Sequence, residues 1–177
     1  MQLAARVPNF DEPIDALEIC HENIMKRMAT LEALAANVRE HGMAGLREGA
    51  GIWREVLAFI EHSVRNHTLD EEHDLFPMLR RHGVPDLEQL HLDHSWSQET
   101  EAFIETEFNH AMESGDAAPE RLERLAERTL ELVRFYRDHI ARENGTVFPH
   151  ARTVLSPEEM ASLGAAMRSR RGVAVSQ

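Results

Sequence analysis

The sequence predicts an all-α protein, an antiparallel four-helix bundle with a short C-terminal fifth helix. Three observations carry this. Ala, Leu, Glu and Arg dominate, and no alternating strand pattern appears. Four long segments repeat apolar residues at helical spacing, with Gly or Pro at the breaks between them. A motif also occurs twice. His67-Thr68-Leu69-Asp70-Glu71-Glu72-His73-Asp74-Leu75-Phe76-Pro77 returns as His139-Ile140-Ala141-Arg142-Glu143-Asn144-Gly145-Thr146-Val147-Phe148-Pro149, 72 residues later from 67 to 139. Such a repeat makes the second and fourth helices one duplicated unit, and the first and third should correspond as well.

The first helix starts at Asp11-Glu12-Pro13, with acid and Pro in its opening turn. Ile14, Leu17, His21, Ile24, Met28, Leu31 and Ala35 form one stripe, and His41-Gly42 ends it. Gly45, Gly49 and Gly51 predict a loose connection, so the second helix is expected from about Ile52. Its inward stripe is Trp53, Leu57, Ile60, Val64, His67, Glu71 and Leu75. Pro77 is expected to kink its last turn, and His82-Gly83 to cap it. The third helix runs from Pro85-Asp86 to Ser114-Gly115. Pro119 opens the fourth, with Leu122, Leu125, Leu132, Phe135, His139, Glu143 and Val147 facing inward. Ser156-Pro157-Glu158-Glu159 is a capping-box start for a fifth helix carrying Met160, Leu163 and Met167. The expected division is a bundle over residues 1–155, then a short helix and flexible tail over 156–177.

The chain of 177 residues suits one domain. Its 19 basic and 31 acidic residues leave a net charge of −12, which argues against nucleic acid and disfavours an anionic membrane surface. Arg168, Arg170 and Arg171 read as a solvated basic tail. The single Cys20 excludes an internal disulfide framework and fits a reducing compartment. No signal peptide is evident at the start, and no apolar run approaches a bilayer span, so a cytoplasmic protein is expected.

Eleven histidines are many for this length. Residues i and i+4 share a helix face, about 5–6 Å apart at Cβ. His67 with Glu71, and His139 with Glu143, can therefore each supply half of a metal site. Each half then needs a histidine from its other helix. His21 lies in register on the first. On the third, the spacing of the halves favours His94, while the likeness of Leu17-Glu18-Ile19-Cys20-His21 to Leu87-Glu88-Gln89-Leu90-His91 keeps His91 as a candidate extra ligand. The predicted metal ligands are thus His21, His67, Glu71, His94, His139 and Glu143. Four imidazoles and two carboxylates can hold two ions, with iron the best match among redox metals and manganese or zinc as alternatives. Ser97, Gln98 and Glu101 make the third helix unusually polar inward and could line a ligand path. Tyr136, one turn before His139, could donate a hydrogen bond toward the site.

The paired His-x-x-x-Glu motifs with trailing Phe-Pro, each half preceded by a helical histidine, resemble the hemerythrin-like, or HHE cation-binding, domain of bacterial type over roughly residues 14–152. The resemblance implies two Fe ions with a bridging oxo or hydroxo group, terminal ligands His21, His67, His94 and His139, and bridging Glu71 and Glu143. It further implies a small diatomic or peroxide ligand. Oxygen-carrying members have a fifth histidine in the third helix and an aspartate five residues after the last histidine. Here that carboxylate is Glu143, four residues on, which points away from simple oxygen carriage. The function expected is binding or processing of peroxide, nitric oxide or O2. The alternatives are iron storage or sensing, a ferritin-like carboxylate oxidase built on Glu18, His21, Glu88 and His91, and a metal-free interaction bundle.

Overall fold

The computed structural model describes residues 7–173. Helix α1 spans Pro13–His41. Gly42 alone separates it from α2, Met43–Phe59, and its φ of 57° turns the chain back. The second long helix continues through a π turn at Ile60–Val64, α3 at Arg65–Leu69, a π turn at Asp70–Leu75 and α4 at Phe76–Arg81. Helix α5 spans Leu87–Ser114. The fourth long helix is α6, Pro119–Arg142, a π turn at Glu143–Val147, and α7, Phe148–Val154. Helix α8, Pro157–Arg170, closes the set. Among the described residues there is no strand, so the all-α bundle with a short C-terminal helix holds.

The expected loop at residues 45–51 is instead helix. Gly45 and Gly49 are contact points, not breaks. A Cβ on Gly45 would lie 2.3 Å from the Asn37 carbonyl oxygen, and one on Gly49 would lie 2.6 Å from Leu34 Cδ2. Glycine lets α1 and α2 approach that closely. The expected kink at Pro77 is also absorbed. Proline has no N–H to donate and its ring crowds the turn before it. A wider turn accommodates both, and the Phe76 N–H reaches back five residues to the Glu71 carbonyl. The same device recurs before Pro149, where Phe148 N–H bonds the Glu143 carbonyl.

Helix α1 packs against both α2 and α6, and α5 packs chiefly on α6. The core is divided. One apolar cluster includes Met28, Leu31, Trp53, Phe108, Leu125 and Leu132. The other includes Leu17, Phe76, Leu79, Leu90, Phe148, Leu163 and Met167. Between them the same helices bury polar and charged side chains, among them His21, His67, Glu71, His94, His139 and Glu143.

Helix α8 starts at the predicted capping box, with Glu159 N donating to Ser156 Oγ at 3.2 Å and Ser156 N to Glu159 Oε2 at 3.0 Å. Its C-terminal arginines are not a solvated tail. Arg171 Nη2 donates to Asp70 Oδ2 at 2.6 Å, and Arg170 pairs with Asp70 and with Asp74. Asp70 is wholly buried, and a buried carboxylate requires such partners. The arginines are therefore held, because the charge they neutralise lies inside. The flexible tail was expected from Arg170; Arg170 ends α8 instead, and residues 174–177 lie outside the described residues.

Candidate metal centre

All six residues predicted from the repeat meet in one layer. His21 comes from α1, His67 from α3, Glu71 from the π turn after it, His94 from α5, His139 from α6 and Glu143 from the π turn following α6. His21 Nε2 and His67 Nε2 lie 2.9 Å apart, and His94 Nε2 and His139 Nε2 lie 3.1 Å apart. The carboxylates run between these two pairs. Glu71 places Oε1 3.4 Å from His67 and Oε2 3.4 Å from His94. Glu143 places Oε2 3.2 Å from His21 and Oε1 3.2 Å from His139. Each carboxylate thus offers one oxygen to each histidine pair. His21, His67, Glu71 and Glu143 are close enough to hold one ion, and His94, His139 and Glu143 a second.

Residues 1–79 match the family model of the hemerythrin HHE cation binding domain. The match takes in His21, His67 and Glu71. No curated protein and no solved structure matches the chain. The matched residues take in the first of the two repeated motifs as far as Phe76-Pro77. His94, His139 and Glu143 complete the layer from the second half.

The layer is held from behind by groups the two halves exchange. Nδ1 of His21 donates to Asn144 Oδ1 at 2.7 Å, and Nδ1 of His94 donates to Glu72 Oε1 at 2.6 Å. Glu72 and Asn144 occupy equivalent places in the two motifs, directly after the candidate bridging glutamates. His139 Nδ1 faces Asp93 Oδ2 at 3.4 Å, and Arg142 fixes that carboxylate at 2.5 Å. Such bonds leave Nε2 of these three rings aimed at the centre. His67 Nδ1 alone of the four is buried without a partner. The Phe of each Phe-Pro stacks on the opposite half. Phe148 lies 5.0 Å from the His21 ring at 13°, and Phe76 lies 5.8 Å from the His94 ring at 4°.

Charge in the layer is poised for a cation. Both oxygens of Glu71 and of Glu143 are buried without a hydrogen-bond partner. Burial, then the Glu143 charge, pushes the Glu71 carboxyl up. Burial opposes ionisation of Glu143 too, but its contacts with His139 and His21 hold it well below the usual carboxylate range. Burial, then His21, drives His67 well below its ordinary value. His94 rises to about 10, since Glu71 and Glu72 outweigh its burial. Unpartnered carboxylate oxygens facing four imidazoles in an apolar bundle fit metal ions and leave little other use for that chemistry.

His91 is not brought into the layer. It lies on the surface, where its Nδ1 bonds Glu72 Oε2 at 2.9 Å and so steadies the carboxylate behind His94. Glu18 pairs outward with Arg152 at 2.9 Å and Glu88 is exposed, so the ferritin-like set does not converge. Tyr136 donates not toward the layer but to Glu101 Oε1, at 2.5 Å. Sequence reasoning missed Glu72, Asn144 and Asp93. The repeat held a signal for the first two, a polar residue following each candidate bridging glutamate.

Proposed function

We propose that the chain is a hemerythrin-like protein holding two iron ions, and that it binds or processes a small oxidant, with peroxide or nitric oxide favoured over O2. The observation that carries this is the pair of carboxylates that each reach both histidine pairs. The six ligands would be His21, His67, Glu71, His94, His139 and Glu143. Six protein donors leave coordination positions on two ions free for an exogenous ligand, and iron supplies redox chemistry there when bound. The chain's own part is to fix the imidazoles through Asn144, Glu72 and Asp93, and to keep bulk water out with Phe76 and Phe148. Among the described residues no helix is long and apolar enough to cross a membrane.

The test is metal content and the optical spectrum of aerobically purified protein. Two irons per chain with charge-transfer bands in the near ultraviolet are expected, and the reduced protein should change spectrum with peroxide or nitric oxide. A folded, iron-grown preparation holding one zinc or no metal would overturn the reading. A reduced centre inert to every oxidant would turn it to storage.

A further inference from the structure

We propose that the groove between the second long helix and α5 is the entry to the metal layer, and that Glu101 in its wall and the buried Tyr136 behind it relay a proton from a protic ligand out to solvent. The proposal rests on the function given above.

The groove is about 440 Å³ and is lined by Ile60, Val64, Thr68, Gln98, Glu101 and Glu105 among others. It exists because α5 leans on α6 and stands away from the second helix. The π turn at Ile60–Val64 lies along one wall. Thr68 follows the candidate ligand His67 directly, so the groove reaches the turn that carries that histidine.

Behind Glu101 lies a set of buried polar groups, Ser97, Thr100 and Tyr136. Tyr136 is buried, and its hydroxyl donates to Glu101. It feels the Glu143 charge. Ser97 Oγ, one turn before Glu101 on α5, donates to the His94 carbonyl at 3.0 Å. The Thr100 hydroxyl, beside Glu101, is buried without a partner. Apolar side chains would fill these core positions without leaving polar atoms to satisfy. Their line runs from the groove to the turns bearing His94 and His139.

The bond between the Tyr136 hydroxyl and the Glu101 carboxylate gives the relay its path. When hydrogen peroxide binds, its O–H breaks and its proton goes to the Tyr136 oxygen. The Tyr136 O–H breaks in the same event and its proton passes to the Glu101 carboxylate. Glu101 then releases that proton to water in the groove. One proton leaves, and no electron moves. Burial raises Glu101 to about 7, eased by Tyr136 and by the charge of His94, so it can accept and release a proton near neutrality. The other charged groups at the groove are Glu61 and Arg65 across it and Glu105 one turn along α5.

The experiment uses the iron-loaded full chain in stopped flow, with hydrogen peroxide and nitric oxide as probes, from pH 5 to 9. Nitric oxide carries no proton, so the relay should not matter to it. Tyr136→Phe and Glu101→Gln should slow the peroxide reaction by roughly 100-fold, abolish its inflection near pH 7, and leave nitric oxide binding and iron content unchanged. Ala102→Trp, which fills the groove, should slow both probes several-fold and keep the inflection. Equal slowing of both probes by Tyr136→Phe would mean a merely structural role and overturn the relay. No effect of Ala102→Trp would overturn the entry. A chain that holds no iron would overturn the function itself, whereas an iron-loaded chain whose peroxide rate ignores both relay variants overturns only the relay.

Discussion

Replacing Glu71 with Gln should change stability in opposite directions with and without metal. Glu71 is 0 % exposed, and neither oxygen has a hydrogen-bond partner. In the metal-free protein the His94 imidazolium draws the carboxylate toward ionisation, but burial and Glu143 prevail and its pKa lies above the ordinary 4.5. An acid with a raised folded pKa takes up a proton on folding, so its ionisation weakens the fold as pH rises from 4.5 through the folded value. Gln, neutral and of the same shape, removes that cost. The gain at neutral pH should be about 1–2 kcal/mol, which for a chain of this size is roughly 2–8 °C in Tm. It should vanish below about pH 4.5. With iron bound the sign reverses. An ion held at a free concentration 1,000-fold above its Kd stabilises by about 4 kcal/mol. Losing one through the missing bridge should lower Tm by roughly 8–16 °C. Thermal melts of both proteins, metal-free and iron-loaded, at pH 7 check this. A change of the same sign in both forms would refute the claim that Glu71 is a charge buried for a metal.

Two further outcomes follow from the groups around the layer. Glu72→Gln should weaken metal retention by roughly 10–100-fold in a competition with a chelator, because His94 loses a charged acceptor. Asn144→Asp should instead tighten retention, since it gives His21 the carboxylate that His94 already has. At the C-terminal helix, Arg171→Ala should cost about 3 kcal/mol at pH 8 by leaving Asp70 short of a cation. Burial already raises the Asp70 carboxyl, and losing the arginine raises it further. The variant can recover by protonating Asp70, so the loss in chemical denaturation should shrink as pH falls toward 5.

The repeat made the centre legible because metal ligation is local in sequence. His67 with Glu71, and His139 with Glu143, need only a helix to meet. His21 was readable from its place in an apolar stripe, and His94 from the symmetry of the halves. What escaped depends on neighbours in space. Gly45 and Gly49 look the same in a linker as in a close helix crossing, and only Asn37 and Leu34 decide between them. A π turn adds a residue without changing composition, so Asp70–Leu75 read as ordinary helix. Arg170 and Arg171 seemed solvated because Asp70, a hundred residues earlier, looked like one more surface acid in an acidic stretch.

The exchange of supports between the halves says something about how this centre could have come about. Asn144 holds His21 and Phe148 covers it, while Glu72 holds His94 and Phe76 covers it. Neither pair of helices carries the parts to brace its own first histidine. A two-helix chain meeting a second copy of itself would build the same layer with perfect twofold symmetry, each copy bracing the other. Joining the copies in one chain frees the two braces to differ, and Glu72 and Asn144 now do. The two ends of the layer are thereby open to separate tuning, one facing a carboxylate and the other an amide, a freedom that a symmetric pair of identical chains does not have.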